Sequence, residues 1–313
     1  MAHSQDSPDT ASSQAVLARV LGYIEATSGL GSHRHFGGRL RSILFAGFNA
    51  AWLRRNQKFD VSYSSPGMDR WRFSISDFGE KGAFPGKIRR AFSLFGDRYR
   101  MHTLEAILAA ALPTRGLHQT TFGIDWERGC DYPRLKIYFE ELRHRYSRRA
   151  RARLLRRICS AAGLEDPLSG CRSDLAAVCI DFLPNQRLAL KTYLYEDWDR
   201  AADGDGPFRD FVRTVSRERR AFFYRTLRCD DSGRRKSCKL YKVYEARQIR
   251  DFSAARLETY EAIRRWGRVE DVAGIERHRR RAVREGALWY PVLCALDVAS
   301  AGARRIDAYY SLR

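Results

Sequence analysis

Hydrophobic and polar positions alternate with a period of two in paired runs that recur down the chain, and between these runs the spacing lengthens to three or four. The clearest pair is TTFGIDWERGCDYPRLKIYFEEL at 120–142, where two alternating runs flank a turn containing Gly129 and Pro133. The arrangement returns at 177–198 around Pro184-Asn185, at 222–245 around Asp230-Asp231-Ser232-Gly233, and at 290–313 around Ser300-Ala301-Gly302. A weaker copy occupies 59–78, with its turn at Ser65-Pro66-Gly67. Each copy predicts a strand, a turn bearing Gly or Pro, and a second strand. Arg72, Lys136, Lys191, Lys239 and Asp307 mark equivalent points, spaced by 64, 55, 48 and 68 residues, so five such units consume nearly the whole chain.

The intervening segments read as amphipathic helices. Val16, Leu17, Val20, Leu21 and Ile24 make one apolar face; Leu142, Tyr146, Leu154, Leu155 and Ile158 make another. Phe208, Phe211, Val212, Val215 and Phe222 follow the same spacing, as do Leu257, Tyr260 and Ile263 behind a cap at Ser253. Hairpins give antiparallel neighbours, and ten antiparallel strands with helices on one side are most economically arranged as a barrel without edges. The expected architecture is an α+β fold: a closed ten-stranded antiparallel barrel inside a ring of helices. It forms a single domain over 15–313, preceded by a polar tail over 1–14.

The second strand of each hairpin has one apolar face and one carrying long cationic and phenolic side chains. Leu135, Ile137 and Phe139 oppose Arg134, Lys136 and Tyr138; Leu188, Leu190 and Leu194 oppose Arg187, Lys191, Tyr193 and Tyr195. Ile306, Ala308, Tyr310 and Leu312 oppose Arg305, Asp307, Tyr309 and Ser311, and Trp71, Phe73 and Ile75 oppose Arg70, Arg72, Ser74 and Ser76. If helices cover the apolar face, the cationic and phenolic face lines the lumen, and the barrel is a binding chamber rather than a packed core. A single K-x-Y triplet usually lies on a half-exposed strand in bulk water. Three in equivalent positions, Lys136-Ile137-Tyr138, Lys191-Thr192-Tyr193 and Lys239-Leu240-Tyr241, are not expected of independent surface strands.

Composition narrows the partner. With 57 Lys+Arg against 37 Asp+Glu, the net charge is +20 among 313 residues, which calls for an anion: a nucleic acid, an anionic lipid or a phosphorylated small molecule. No run approaches the roughly 18 apolar residues of a membrane span. The polar start MAHSQDSPDTASSQ resembles neither a signal nor a transit peptide, so a cytoplasmic protein is expected. Seven scattered cysteines without a C-x-x-C pair argue against a disulfide framework and a zinc site.

The five hairpins with interleaved helices and the repeated K-x-Y resemble the ABBA aromatic prenyltransferases, at the level of pattern from about residue 40 onward. The length is similar to that of the compact bacterial members, including the cyanobactin peptide enzymes, and K-x-Y is closer to the indole and cyanobactin branches than to the phenol and phenazine branch. The resemblance implies a prenyl diphosphate donor, dimethylallyl or geranyl, and an aromatic or other nucleophilic acceptor, either a small molecule or a peptide side chain. Arg72, Lys136, Lys191, Lys239 and Arg305 would hold the diphosphate. Tyr138, Tyr193, Tyr241 and Tyr309 would shield the allyl cation, and Asp60 would be the general base. No resident cofactor or metal ligand is implied, although magnesium could accompany the diphosphate. Two positions depart from the family pattern: Lys239 stands where a neutral polar residue is expected, and Asp307 where a cation is.

These residue types suit that chemistry. Ionising the donor's C–O bond adds charge to the leaving group, so clustered Lys and Arg in a dry chamber favour the transition state. The allyl cation must be kept from water, and each tyrosine face can contribute about 0.5–2 kcal/mol of cation–π stabilisation. Asp60 has a second reading, as a strand-end acid like Asp125, Asp181 and Asp297. Asp230-Asp231 is followed by Ser-Gly-Arg and reads as a turn; Asp203-Gly204-Asp205-Gly206 reads as a linker, and GLGSHRHFGG at 29–38 carries no phosphate-loop fingerprint. The alternative function is nucleic-acid binding through the basic segments 143–157 and 277–284, which otherwise read as solvated helix faces.

Overall fold

The computed structural model describes residues 59–312 except 66–69, 77–83, 112–118, 128–129, 141, 143–145, 169–173, 204–205, 217–220, 245–251, 285, 287–288 and 300–301; the side chains of 59–61, 70–73, 75–76, 126–127 and 311–312 are also outside the description. The tail expected over 1–14 and the helix expected over Val16–Ile24 therefore lie outside the described residues. Ten strands form one sheet: β1 (Phe59–Ser65), β2 (Arg70–Ser76), β3 (Gln119–Glu127), β4 (Arg134–Glu140), β5 (Leu175–Phe182), β6 (Leu188–Asp197), β7 (Phe222–Asp230), β8 (Arg235–Val243), β9 (Trp289–Ala299) and β10 (Arg304–Leu312). Their order is β1-β10-β9-β8-β7-β6-β5-β4-β3-β2, every ladder is antiparallel, and the two end strands lie against each other, so the sheet curls round upon itself.

Four of the predicted hairpins, β3–β4, β5–β6, β7–β8 and β9–β10, are hydrogen-bonded pairs. The weaker first copy differs. Its strands are not partners in a described ladder; β1 pairs with β10 and β2 with β3, which places that copy at the seam. Tip chemistry explains the tight connections. In the β7–β8 turn, Asp230 Oδ1 accepts from Ser232 N, Ser232 Oγ and Arg234 N, while Gly233 adopts a φ of 74°, a left-handed backbone that suits glycine.

Seven helices are described: α1 (Phe84–Ser93), α2 (Met101–Ala111), α3 (Arg148–Ala162), α4 (Trp198–Ala202), α5 (Pro207–Val215), α6 (Phe252–Trp266) and α7 (Val269–Arg284). The apolar stripe predicts α3 well. Leu154, Leu155 and Ile158 are buried, Ser147 caps the first turn through Ala150 N, and Gly163 closes the last in the left-handed conformation. Three expectations are corrected. Phe222 belongs to β7, because α5 ends at Val215. Ser253 lies inside the first turn of α6, which begins at Phe252. Leu257 is 59% exposed, so the buried face of α6 runs through Ala255, Thr259, Tyr260, Ala262 and Ile263 instead. Helices α1 and α2 follow the first copy and share the outer core.

The core lies between helices and sheet. Leu135, Ile137, Phe139, Leu188, Leu190, Ile306, Ala308 and Tyr310 from the strands join Ile88, Phe92, Leu104, Ile107, Leu155, Ile158, Phe211 and Ile263 from the helices in one apolar cluster. Tyr138, Tyr193, Tyr241 and Tyr309 belong to a separate cluster with Cys179 and Ala295, on the opposite side of the wall. The assignment of faces by alternation thus holds for β4, β6, β8 and β10, while the side chains on which it rests in β2, Ser74 excepted, lie outside the description. No described helix is long and apolar enough to cross a membrane.

Candidate active site

Alternation aims every second side chain of the wall inward. The resulting chamber is lined by Arg134, Lys136, Lys191, Arg228, Lys239 and Arg305, with Asp125, Asp297 and Asp307 and the hydroxyls of Ser62, Ser64, Thr226 and Tyr309. Of the diphosphate ligands expected from the sequence, four are gathered here. The fifth, Arg72, stands opposite Asp125 in the β2–β3 register, and its side chain is outside the described residues. Asp60, the expected base, stands opposite Ser311 in the β1–β10 register, with its side chain likewise outside.

Four of the chamber's cations are paired with acids of the same wall. Lys136 bonds Asp125 and lies 4.0 Å from Asp181, which is 2.6 Å from Lys191. Lys239 bonds Asp307; Arg305 reaches Asp297 at 2.8 Å and Asp307 at 3.3 Å. Asp125, Asp181 and Asp297 are therefore partners of the lumen cations rather than strand-end acids, and Asp307, which breaks the cationic pattern, answers the departure at Lys239. A buried charge needs such a partner. Burial alone would raise the pKa of Asp181, but Lys191 and then Lys136 outweigh it and hold the carboxyl below its ordinary range. Asp307 is held low in the same way by Lys239 and Arg305. Conversely, burial would lower the pKa of Lys239, and Asp307 raises it above the ordinary lysine value.

Cations still exceed acids, six against four, among the described residues of this layer. Two buried groups also have spare capacity for an anion: Arg228 Nε and Thr226 Oγ1 have no hydrogen-bond partner among the described residues. Such orphans are rare in native interiors and mark a place where a partner from outside belongs. Sequence reading placed Arg134 on the correct face without choosing it, and missed Arg228 and Thr226. Their strand alternates Tyr224, Thr226, Arg228 against Phe223, Arg225, Leu227, and Arg225 hides the pattern by pointing outward, to Glu196 at 2.5 Å and over the Phe208 ring at 5.1 Å.

The four expected tyrosines form a continuous arc: ring centroids are 6.3 Å apart for Tyr138–Tyr193, 5.8 Å for Tyr193–Tyr241 and 5.8 Å for Tyr241–Tyr309. Lys239 sits at the edge of this arc. Its Nζ donates to Tyr309 Oη at 2.8 Å and lies 4.8 Å from the Tyr241 centroid and 5.3 Å from that of Tyr309. These two rings already face a cation, so aromatic and cationic layers are in direct contact. No group of three or more metal-ligating side chains occurs among the described residues. The described cysteines are free thiols, and burial pushes that of Cys159 up to about 12.

No protein-family model and no curated protein matches the chain. Solved structures do. The fold is similar to that of 5-dimethylallyl tryptophan synthase from Streptomyces coelicolor, crystallised with DMASPP and Trp, at 15% identity and a TM-score of 0.71, covering 96% of this chain and 94% of that one. It is similar to the prenyltransferase PriB, in ternary complex with L-tryptophan and dimethylallyl thiolodiphosphate, at 15% identity, a TM-score of 0.70 and 96% of both chains. It is also similar to NotF prenyltransferase at 11% identity, with a TM-score of 0.69 over 99% of this chain and 97% of that one. The barrel is thus the fold of the ABBA prenyltransferases, nearly end to end.

Proposed function

We propose that the protein transfers a prenyl group from its diphosphate to an aromatic or other nucleophilic acceptor. The observation that carries this reading is the chamber itself: a layer of Lys and Arg with excess positive charge and orphaned donors, in contact with an arc of four tyrosines. The barrel's likeness to enzymes crystallised with dimethylallyl thiolodiphosphate and with tryptophan or brevianamide F supports it.

On this reading Lys136, Lys191, Lys239 and Arg305, with Arg134, Arg228 and the register position of Arg72, hold the donor's diphosphate. The C–O bond breaks heterolytically, its electron pair leaves on the diphosphate, and the layer stabilises the charge that develops there. The allyl fragment faces Tyr138, Tyr193, Tyr241 and Tyr309, whose rings stabilise it and keep water away. The acceptor carbon or heteroatom bonds the freed carbon and loses a proton, which Asp60 on β1 receives as general base. The reading needs no resident metal; magnesium can enter as the diphosphate's counter-ion.

Incubation of purified protein with dimethylallyl or geranyl diphosphate and a panel of tryptophan, tyrosine and their peptides, read by mass spectrometry, tests it. Formation of a product one prenyl unit heavier is expected. Absence of donor binding by calorimetry, together with tight, salt-sensitive RNA binding, would replace it with the nucleic-acid reading.

A further inference from the structure

Leaving aside the strand-end acids Asp230, ion-paired with Lys236, and Asp197, exposed and capping α4, the described carboxylates on the chamber face of the wall fall into two groups. Asp125, Asp181, Asp297 and Asp307 each face a lysine or arginine within ion-pair distance. Glu140 does not; no cation pairs with it among the described residues. It ends β4 on the same parity as Lys136 and Tyr138, one inward position beyond the tyrosine arc and two beyond the cation layer. Register sets Thr121 opposite Tyr138 and Gln119 opposite Glu140.

These two neighbours fix the carboxylate. Glu140 Oε2 accepts from Thr121 Oγ1 at 2.6 Å and from Gln119 Nε2 at 2.8 Å, and both donors are buried. Neutral donors orient a carboxylate without cancelling its charge. Oε1 takes no hydrogen bond within the described residues. Among the described residues the chamber is therefore polarised along its axis: cations in excess at one end, tyrosines between, and a half-buried, oriented carboxylate without a described counter-charge at the other.

We infer that Glu140 docks a positively charged group of the acceptor, so that the preferred acceptors are aromatic amines whose ammonium sits at the Glu140 end while the ring meets the tyrosine arc. The inference deepens the prenyl-transfer reading and rests on it for the word acceptor. The anionic donor and the cationic acceptor each find the end of opposite sign, and a carboxylate in the acceptor would be repelled at Glu140 and compete with the diphosphate for the cation layer.

The test is equilibrium binding by calorimetry to the full chain, with inorganic pyrophosphate present to occupy the cation layer. Tryptamine, 3-ethylindole and indole-3-propionate offer one ring with an ammonium, no charge and a carboxylate. Tryptamine should bind roughly tenfold more tightly than 3-ethylindole, the range of one charge-assisted contact. In E140Q the two should come within about twofold of each other with 3-ethylindole unchanged. T121V, which keeps the charge but loosens its orientation, should give an intermediate ratio, and it decides the question should E140Q not fold. Equal binding of the two by the wild type, no tryptamine binding, or an unchanged ratio in E140Q would overturn the inference. Dimethylallyl diphosphate titrated into the same samples reports separately on prenyl transfer: loss of donor binding with the tryptamine preference intact would sink that reading and leave the Glu140 site standing.

Discussion

At the scale of single residues, neighbours on one strand should have opposite phenotypes. Lys191 is buried on the chamber face, 2.6 Å from the fully buried Asp181, whereas Leu190 faces the outer core. Lys191→Ala is expected to weaken donor binding and slow ionisation. It should also destabilise the fold by about 3–5 kcal/mol, because Asp181 is left with Lys136 at 4.0 Å as its nearest remaining lysine. Combining it with Asp181→Asn should restore much of the melting temperature and none of the donor affinity, which thermal denaturation and calorimetry would separate. Leu190→Ala should cost about 2–5 kcal/mol with donor affinity unchanged in the folded fraction. Tyr193→Ala should preserve donor affinity while prenyl alcohol, the water-trapped product, rises relative to prenylated acceptor in a chromatographic assay. Asp60→Asn should leave donor titrations unaltered and slow single-turnover transfer, most for acceptors whose proton is least acidic.

At the scale of elements, the turn between α6 and α7 is held to the end of β1 by one hydroxyl. Ser65 Oγ donates to Asp271 Oδ2 and accepts from Arg268 N at 3.1 Å. Gly267 lies so close that a Cβ there would meet Ser65 and the Ile263 carbonyl oxygen, the latter at 2.9 Å. Gly267→Ala should therefore destabilise by about 1–3 kcal/mol, and Ser65→Ala by a similar amount through the unsatisfied Asp271, both read by denaturant titration. Nothing in the chain order announces this lock, because Ser65 and Asp271 are 206 residues apart. The contrast with the hairpins explains what the sequence makes legible. Period-2 alternation is a local property, so β3 to β10 and the faces of Lys136, Lys191, Lys239 and the tyrosines can be read directly. The acids opposite them cannot, because Asp125, Asp181 and Asp297 lie on first strands, and the partner of each is set by register between strands. Arg228 and Glu140 stayed hidden for related reasons: an outward arginine masks one, and the other acquires meaning only when β3 brings Gln119 and Thr121 beside it.

At the scale of the whole molecule, the chamber's ion pairs couple stability to pH on both sides of neutrality. Asp181 and Asp307 are held below their ordinary range in the fold, so their contribution is complete above the unfolded value of about 3.9 and is lost as pH falls from there through the depressed folded values. Lys239 is raised, so its contribution is complete below the unfolded value of about 10.4 and is lost only as pH rises through the higher folded value. Melting temperatures recorded from pH 7 down to 3 should fall, and fall less steeply for Asp307→Asn relative to its own value at pH 7. The wall that carries these pairs also has a reading frame. Inside and outside are successive letters of one strand, so deleting Thr192 would turn Tyr193 and everything after it in β6 to the wrong side, whereas residues added at the Asp231–Ser232 tip would change no face. Selection on such a barrel acts on parity more than on identity. A single extra residue within a strand must be absorbed by a bulge, as in β9, where Leu293 and Pro291 face consecutive residues of β10; tips are free to drift and letters can be exchanged within each face, which is how a chain 15% identical to a solved structure can share its fold.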